Sequence, residues 1–217
     1  MRLYSVAHAT RKLDYWPWWV QSKFNFAVPE KHSFKKGSVS SPKIVFIIGL
    51  PRTGSTLTKR ILGKHPGIRM LDYMKFEQSC RIASETENLI CLDKATRNID
   101  RIHRIDRRLG GSAWYLGLFR DPRDELVSLI ETDRHPDVPR DQRFWPHWDS
   151  SYRRMLESLR LVEKKGSQVK FLRYEDLVLD PLTTQKSFYR WLGLSEDAAD
   201  IYYDIDKKFT NKDDVSE

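Results

Sequence analysis

The sequence predicts an α/β domain, a mainly parallel five-stranded sheet with helices on both faces, and three observations carry that prediction. Short apolar runs recur along the chain, most of them followed by apolar residues at helical spacing, as in strands joined by crossover helices. The first run, Ile44-Val45-Phe46-Ile47-Ile48, passes through Gly49, Pro51 and Gly54 into Leu57, Ile61 and Leu62 at helical spacing. The composition is globular: 217 residues, 40% hydrophobic and 31% charged, suit one domain over residues 1–217.

The elements follow in order. After the first strand and helix, His65-Pro66-Gly67 is a stop signal, and residues 68–72 form a short second strand. Residues 75–88 read as a helix of mixed polarity, and residues 89–93 as a third strand ending at Lys94. Ile99, Ile102, Ile105 and Leu109 mark one helical face, closed by Gly110-Gly111. Ala113 to Phe119 is a strongly apolar fourth strand, and Asp121-Pro122 caps the helix that carries Leu126, Val127 and Ile130. Asp133 to Asp149 reads as a long irregular stretch bearing Phe144, Trp145 and Trp148, a lid or binding loop by its length and its aromatics. A helix over residues 150–165, a fifth strand over residues 168–172 and a helix from Pro181 to Leu192 complete the core, residues 43–193. Residues 1–41 form an aromatic and basic extension; its Leu13-to-Trp19 cluster packs over a sheet edge, lines an acceptor pocket or dimerises.

The turn after the first strand has the layout of a phosphate-binding loop. Backbone N–H groups at a helix start converge on one spot, where the helix dipole favours an anion. Gly49, four residues, then Gly54-Ser55-Thr56 nearly fits G-x-x-x-x-G-K-[ST], so the domain is P-loop-like. Ser55 stands where the lysine belongs, and Arg52 is the one cation of the loop. An anion is expected there, held differently from the way an ATPase holds it.

Pro51-Arg52-Thr53-Gly54-Ser55-Thr56-Leu57 resembles the 5′-phosphosulfate loop of sulfotransferases, P-R-[ST]-G-[ST]-T-L, whose donor is 3′-phosphoadenosine 5′-phosphosulfate (PAPS). Phe119-Arg120-Asp121-Pro122 with Ser128 resembles the family's 3′-phosphate site, an arginine ending a strand and a serine eight positions on. Leu92-Asp93-Lys94-Ala95-Thr96 resembles the K-[TD]-P segment, whose lysine approaches the transferring sulfuryl group. Arg173-Tyr174-Glu175-Asp176-Leu177 with Pro181 resembles Y-E-[DQ]-L-x-x-x-P, where the tyrosine lies near the nucleotide and the acids serve structure. The pattern is nearest to tyrosylprotein-type and small bacterial sulfotransferases, and it leaves residues 1–41 and the tail after 195 uncovered.

The resemblance implies metal-independent, in-line transfer of a sulfuryl group from PAPS to an acceptor hydroxyl or amine. Arg52, Thr53, Gly54, Ser55, Thr56, Leu57, Arg120, Ser128 and Tyr174 would hold the nucleotide, and Arg52 and Lys94 would stabilise the transfer. A base must reach the acceptor's proton. Related enzymes use a histidine after the lysine segment or a glutamate after the second strand; this chain has Ala95-Thr96 and Asp72-Tyr73 there. Asp72 is the first choice for the base, with Glu77 and His103 as alternates.

Charge and cysteines narrow the setting. The net charge of +8, from 38 Lys and Arg against 30 Asp and Glu, is scattered along the chain, which favours a small polyanionic ligand over nucleic acid. Two cysteines, Cys80 and Cys91, give neither a disulfide framework nor a metal cluster. No apolar run reaches membrane-spanning length and the N-terminus lacks a signal-peptide hydrophobic region, so a cytoplasmic protein is expected. The acceptor stays open among small molecules, carbohydrates, lipids and peptides, as does a homodimer. Two competing functions remain: a P-loop kinase with an altered loop, and a non-catalytic nucleotide-binding module that lacks a base.

Overall fold

The structure, a computed structural model, describes residues 42–71, 76–95, 102–109, 113–132 and 138–200. Five parallel strands form one sheet: β1 (Ile44–Ile48), β2 (Ile68–Met70), β3 (Ile90–Lys94), β4 (Ala113–Phe119) and β5 (Val169–Arg173). The strand order is β2-β3-β1-β4-β5, which puts the first strand in the middle. Every residue of β1 is buried, as a central parallel strand covered on both faces requires. The expected fold class therefore holds.

Seven helices accompany the strands among the described residues: α1 (Ser55–Leu62), α2 (Phe76–Glu85), α3 (Ile102–Leu109), α4 (Pro122–Ile130), α5 (Phe144–Lys164), α6 (Tyr174–Leu179) and α7 (Pro181–Leu192). One core cluster joins Val45 and Ile47 of β1 to Ile61 and Leu62 of α1 and to Phe188, Tyr189 and Trp191 of α7. The registers Ile47↔Lys94, Ile48↔Gly117 and Phe119↔Arg173 align the carboxyl ends of β3, β1, β4 and β5 along one edge. Chain order reverses across β1, between β3 and β4, and ligands of open α/β sheets bind beyond such a switch point.

Most boundaries shift from the sequence reading by a residue or a few, and three differences bear on the site. The stretch ending at Asp149 is not irregular throughout: α5 begins at Phe144, and Phe144, Trp148, Tyr152, Met155, Leu159 and Val162 form its buried stripe. Pro146 is tolerated because it sits in the first turn, where its missing N–H has no intrahelical acceptor. A short helix, α6, starts at Tyr174 directly after β5, where sequence patterning marks no helix. The second strand stops at Met70, although the Leu71 amide still donates to the Leu92 carbonyl at 2.9 Å. The N-terminal aromatic cluster and Gly110-Gly111 lie outside the described residues.

Candidate active site

The loop between β1 and α1 is held by its own side chains. Thr53 is fully buried, and both its hydroxyl and its amide donate to the Leu50 carbonyl, at 2.8 and 3.3 Å. Arg52 and Gly54 both take positive φ, 72° and 87°. For glycine this conformation is cheap; for arginine it costs of the order of 1–2 kcal/mol, and such strain concentrates at functional sites. The first N–H groups of α1 then point away from the helix without intrahelical acceptors.

Gly54 is required for a second reason. A Cβ there would lie 2.4 Å from two ring carbons of Tyr174. The absent side chain lets Tyr174, the first residue of α6, pack close against the loop. Over the same tyrosine lies the Arg120 guanidinium, 4.5 Å from the ring centroid, in cation–π geometry. Arg120 Nη1 donates to the Arg52 carbonyl at 2.9 Å, and Arg52 Nε donates to the Ser128 hydroxyl at 2.8 Å. Lys94, at the end of β3, donates from Nζ to the Thr56 hydroxyl at 2.7 Å. Five separate stretches of sequence thus converge on one place, and Arg52, Gly54, Ser55, Thr56, Leu57, Lys94, Arg120, Ser128 and Tyr174 all remain partly accessible.

Among the buried side-chain nitrogens and oxygens of the described residues, Arg120 Nε is the one without a hydrogen-bond partner. Such a donor on a cation is expensive to bury and is satisfied best by an anion. The Asp121 carboxylate serves elsewhere: it caps α4 through the Arg123 amide and pairs with the Arg123 side chain at 2.5 Å.

A supporting layer behind Arg120 was not legible in the motifs. The Arg120 amide donates to the Tyr152 hydroxyl at 3.2 Å, and the next amide, of Asp121, donates to Glu175 Oε1 at 2.8 Å. Tyr152 in turn donates to Glu125 Oε1 and Trp148 Nε1 to Glu125 Oε2, each at 3.0 Å. Glu125 is buried, and desolvation pushes its carboxyl well above the usual range against the opposing pull of these two donors and the charge of Arg120. The i, i+4 spacing of Phe144, Trp148 and Tyr152 is the signal that would have placed the two aromatics on one inward helix face.

The lysine segment has its own buried acid. Asp93 Oδ2 accepts from the Ser79 hydroxyl of α2 at 2.5 Å, and Oδ1 accepts the Lys94 amide at 2.7 Å. Of the base candidates, Asp72 lies outside the described residues. Glu77 and His103 belong to the first turns of α2 and α3. Helices that cross over between parallel strands start at the strands' carboxyl edge, so both residues belong to that edge of the domain. Neither Cys80 nor Cys91 is in a disulfide, and burial pushes the Cys91 thiol up, as expected of an inert core cysteine.

Comparison with known proteins agrees with this geometry. A sulfotransferase family model matches residues 42–81 and 70–198. No curated protein sequence is significantly similar to the chain. The fold is shared with a sulfotransferase from Alicyclobacillus acidocaldarius, at 15% identity and a TM-score of 0.53, over 73% of this chain and 83% of that one. It is shared with the sulfotransferase domain of the Synechococcus PCC 7002 olefin synthase, at 18% identity and a TM-score of 0.53, over 76% and 78% of the two chains. The sulfotransferase STF9 of Mycobacterium avium gives the same TM-score of 0.53 at 12% identity, over 74% and 67%. The family model spans well over half of the sequence, from the first strand through the last helix, and the chain belongs to the sulfotransferase family.

Proposed function

We propose that the chain moves a sulfuryl group from PAPS to an acceptor hydroxyl or amine by in-line, metal-independent transfer. The donor assignment rests above all on Arg120, whose buried Nε has no protein acceptor while Nη1 and the guanidinium face are already engaged. A terminal phosphate would match that donor in hydrogen bonding and charge, and the Ser128 hydroxyl and the amides opening α1 lie close enough in the fold to extend the same lining. Bound there, PAPS supplies an activated sulfuryl group on a bisphosphate leaving group.

Arg52 and Lys94 flank the start of α1, Lys94 through Thr56 and Arg52 through Ser128. Both bring positive charge to a point where negative charge grows as the bridging bond breaks. Neither needs to donate its proton for this. The base that takes the acceptor proton is assigned to Asp72, which follows the end of β2 by two residues in sequence, with Glu77 and His103 as alternates. The acceptor is a small molecule, carbohydrate, lipid or peptide, and the protein works in the cytoplasm as a single domain.

Adenosine 3′,5′-bisphosphate tests the donor assignment. It should bind in the presence of a chelator, because arginine, lysine and backbone N–H groups supply the counter-charge. At ~100 times its dissociation constant it should stabilise the fold by about 2.7 kcal/mol, a rise in the melting midpoint of roughly 5–11 °C. ATP, lacking the 3′-phosphate, leaves Arg120 Nε unpaired and should bind far more weakly even with Mg²⁺. A melting shift with Mg·ATP and none with the bisphosphate would falsify the proposal and favour a kinase.

A further inference from the structure

We propose that Tyr152 and Glu125 are positioning residues of the donor site: the buried Glu125 carboxyl orients the Tyr152 hydroxyl, and that hydroxyl fixes the Arg120 backbone so that its guanidinium meets the anion. The inference rests on the donor reading above and adds two residues that none of the four sequence motifs assigns a role at the site.

The chain of bonds has a direction. Glu125 Oε1 accepts from Tyr152, so the tyrosine hydrogen is committed and its oxygen is left to accept the Arg120 N–H. The following amide, of Asp121, is held by Glu175 from a different helix. Two consecutive N–H groups gripped by side chains of α5 and α6 leave the two peptide planes that flank the Arg120 Cα little freedom. Arg120 leaves the backbone at this point, directly after β4. Its guanidinium then threads between the Arg52 carbonyl and the Tyr174 ring, so a small rotation of the backbone would displace both contacts and Nε together.

Core packing alone does not call for these polar groups. Tyr152 already packs through its ring, 4.2 Å from Trp148 and 5.5 Å from Phe119 between centroids, and phenylalanine would preserve both contacts. A buried carboxyl is costly at Glu125 and its burial raises its proton affinity; an apolar side chain of similar size would avoid that cost. Glu125 is faced by Trp148 and Tyr152 of α5, and also interacts with Arg120 after β4 and Glu175 of α6. The hydrogen-bonded chain therefore runs to the turn that carries the anion-binding arginine.

The experiment is a double-mutant cycle read by calorimetric titration of adenosine 3′,5′-bisphosphate. Tyr152→Phe should weaken binding about tenfold, the value of one aligned hydrogen bond, while the acceptor KM stays at its wild-type value. In an Arg120→Ala background the same substitution should no longer change affinity, because nothing remains to be aimed. Leu159→Val, a buried change elsewhere on α5, should lower the melting midpoint while bisphosphate affinity is retained. Equal affinity for wild type and Tyr152→Phe, or an undiminished tenfold loss in the Arg120→Ala background, overturns the positioning role. Wild-type protein that does not bind the bisphosphate at all overturns the donor reading itself, a separate outcome.

Discussion

Arg52 and Arg120 carry the same charge within one cluster, yet they meet different demands. Arg120 is fixed from behind by Tyr152, from below by Tyr174 and from the side by the loop carbonyl, the setting of a binding group. Arg52 sits in the loop itself, at positive φ, beside the start of α1, the place the proposed transfer gives to the leaving oxygen. Arg120→Ala is expected to weaken donor binding by ~10–10²-fold with little change in turnover at saturating donor. Arg52→Ala is expected to lower kcat by ~10²–10³-fold with a smaller effect on donor affinity. Steady-state kinetics together with bisphosphate titration separate the two; the same pattern in both variants would remove the distinction.

At the scale of elements, α5 matters most for what the sequence did and did not reveal. β1 and β4 were legible because a buried central strand has to be apolar throughout, and Ile44 to Ile48 leave no other fate. The loop, Lys94, Arg120 and Tyr174 were legible because strand ends place them at one edge. Glu125 was not: its partners Trp148 and Tyr152 lie more than twenty residues away, and a glutamate on a capped helix reads as solvent-facing until α5 is packed against it. The start of α5 was hidden by Phe144-Trp145-Pro146, whose proline and paired aromatics look like a loop although the proline falls in the first turn. That packing also divides the aromatics. Phe144 and Trp148 are buried, whereas Trp145 is exposed at the end of α5 nearest Glu125 and the Arg120 turn. Trp145→Ala is expected to raise the acceptor KM by about tenfold and to spare bisphosphate binding. Acceptor kinetics that do not move would leave Trp145 as a surface residue of the helix.

For the molecule as a whole, Glu125 ties stability to pH. Burial holds its carboxyl well above its ordinary value of about 4.5, so the folded chain binds this proton more tightly than the unfolded chain does. The sign follows: the contribution is present in full below the ordinary value and is lost as pH rises through the raised one. Glu125→Gln has no proton to lose there. Melting midpoints measured between pH ~4.5 and pH ~8 should show the variant gaining on wild type as pH increases, whatever the offset at the acid end. A constant difference across that range would mean that Glu125 titrates alike in both states.

The position of β1 in the middle of the sheet also has a kinetic meaning. Both neighbours of β1, β3 and β4, come from far along the chain, and every strand pairing is parallel. The loop after β1 is made before Arg120, Ser128 and Tyr174, and each of these contacts must close a long segment of chain. The cluster around Arg52 and Arg120 is therefore expected to be completed late, once the central strands have docked. A nucleotide that engages this site bridges the parts of the sheet that join last. Its effect should fall mainly on the rate at which the finished domain comes apart, with the rate of assembly nearly unchanged.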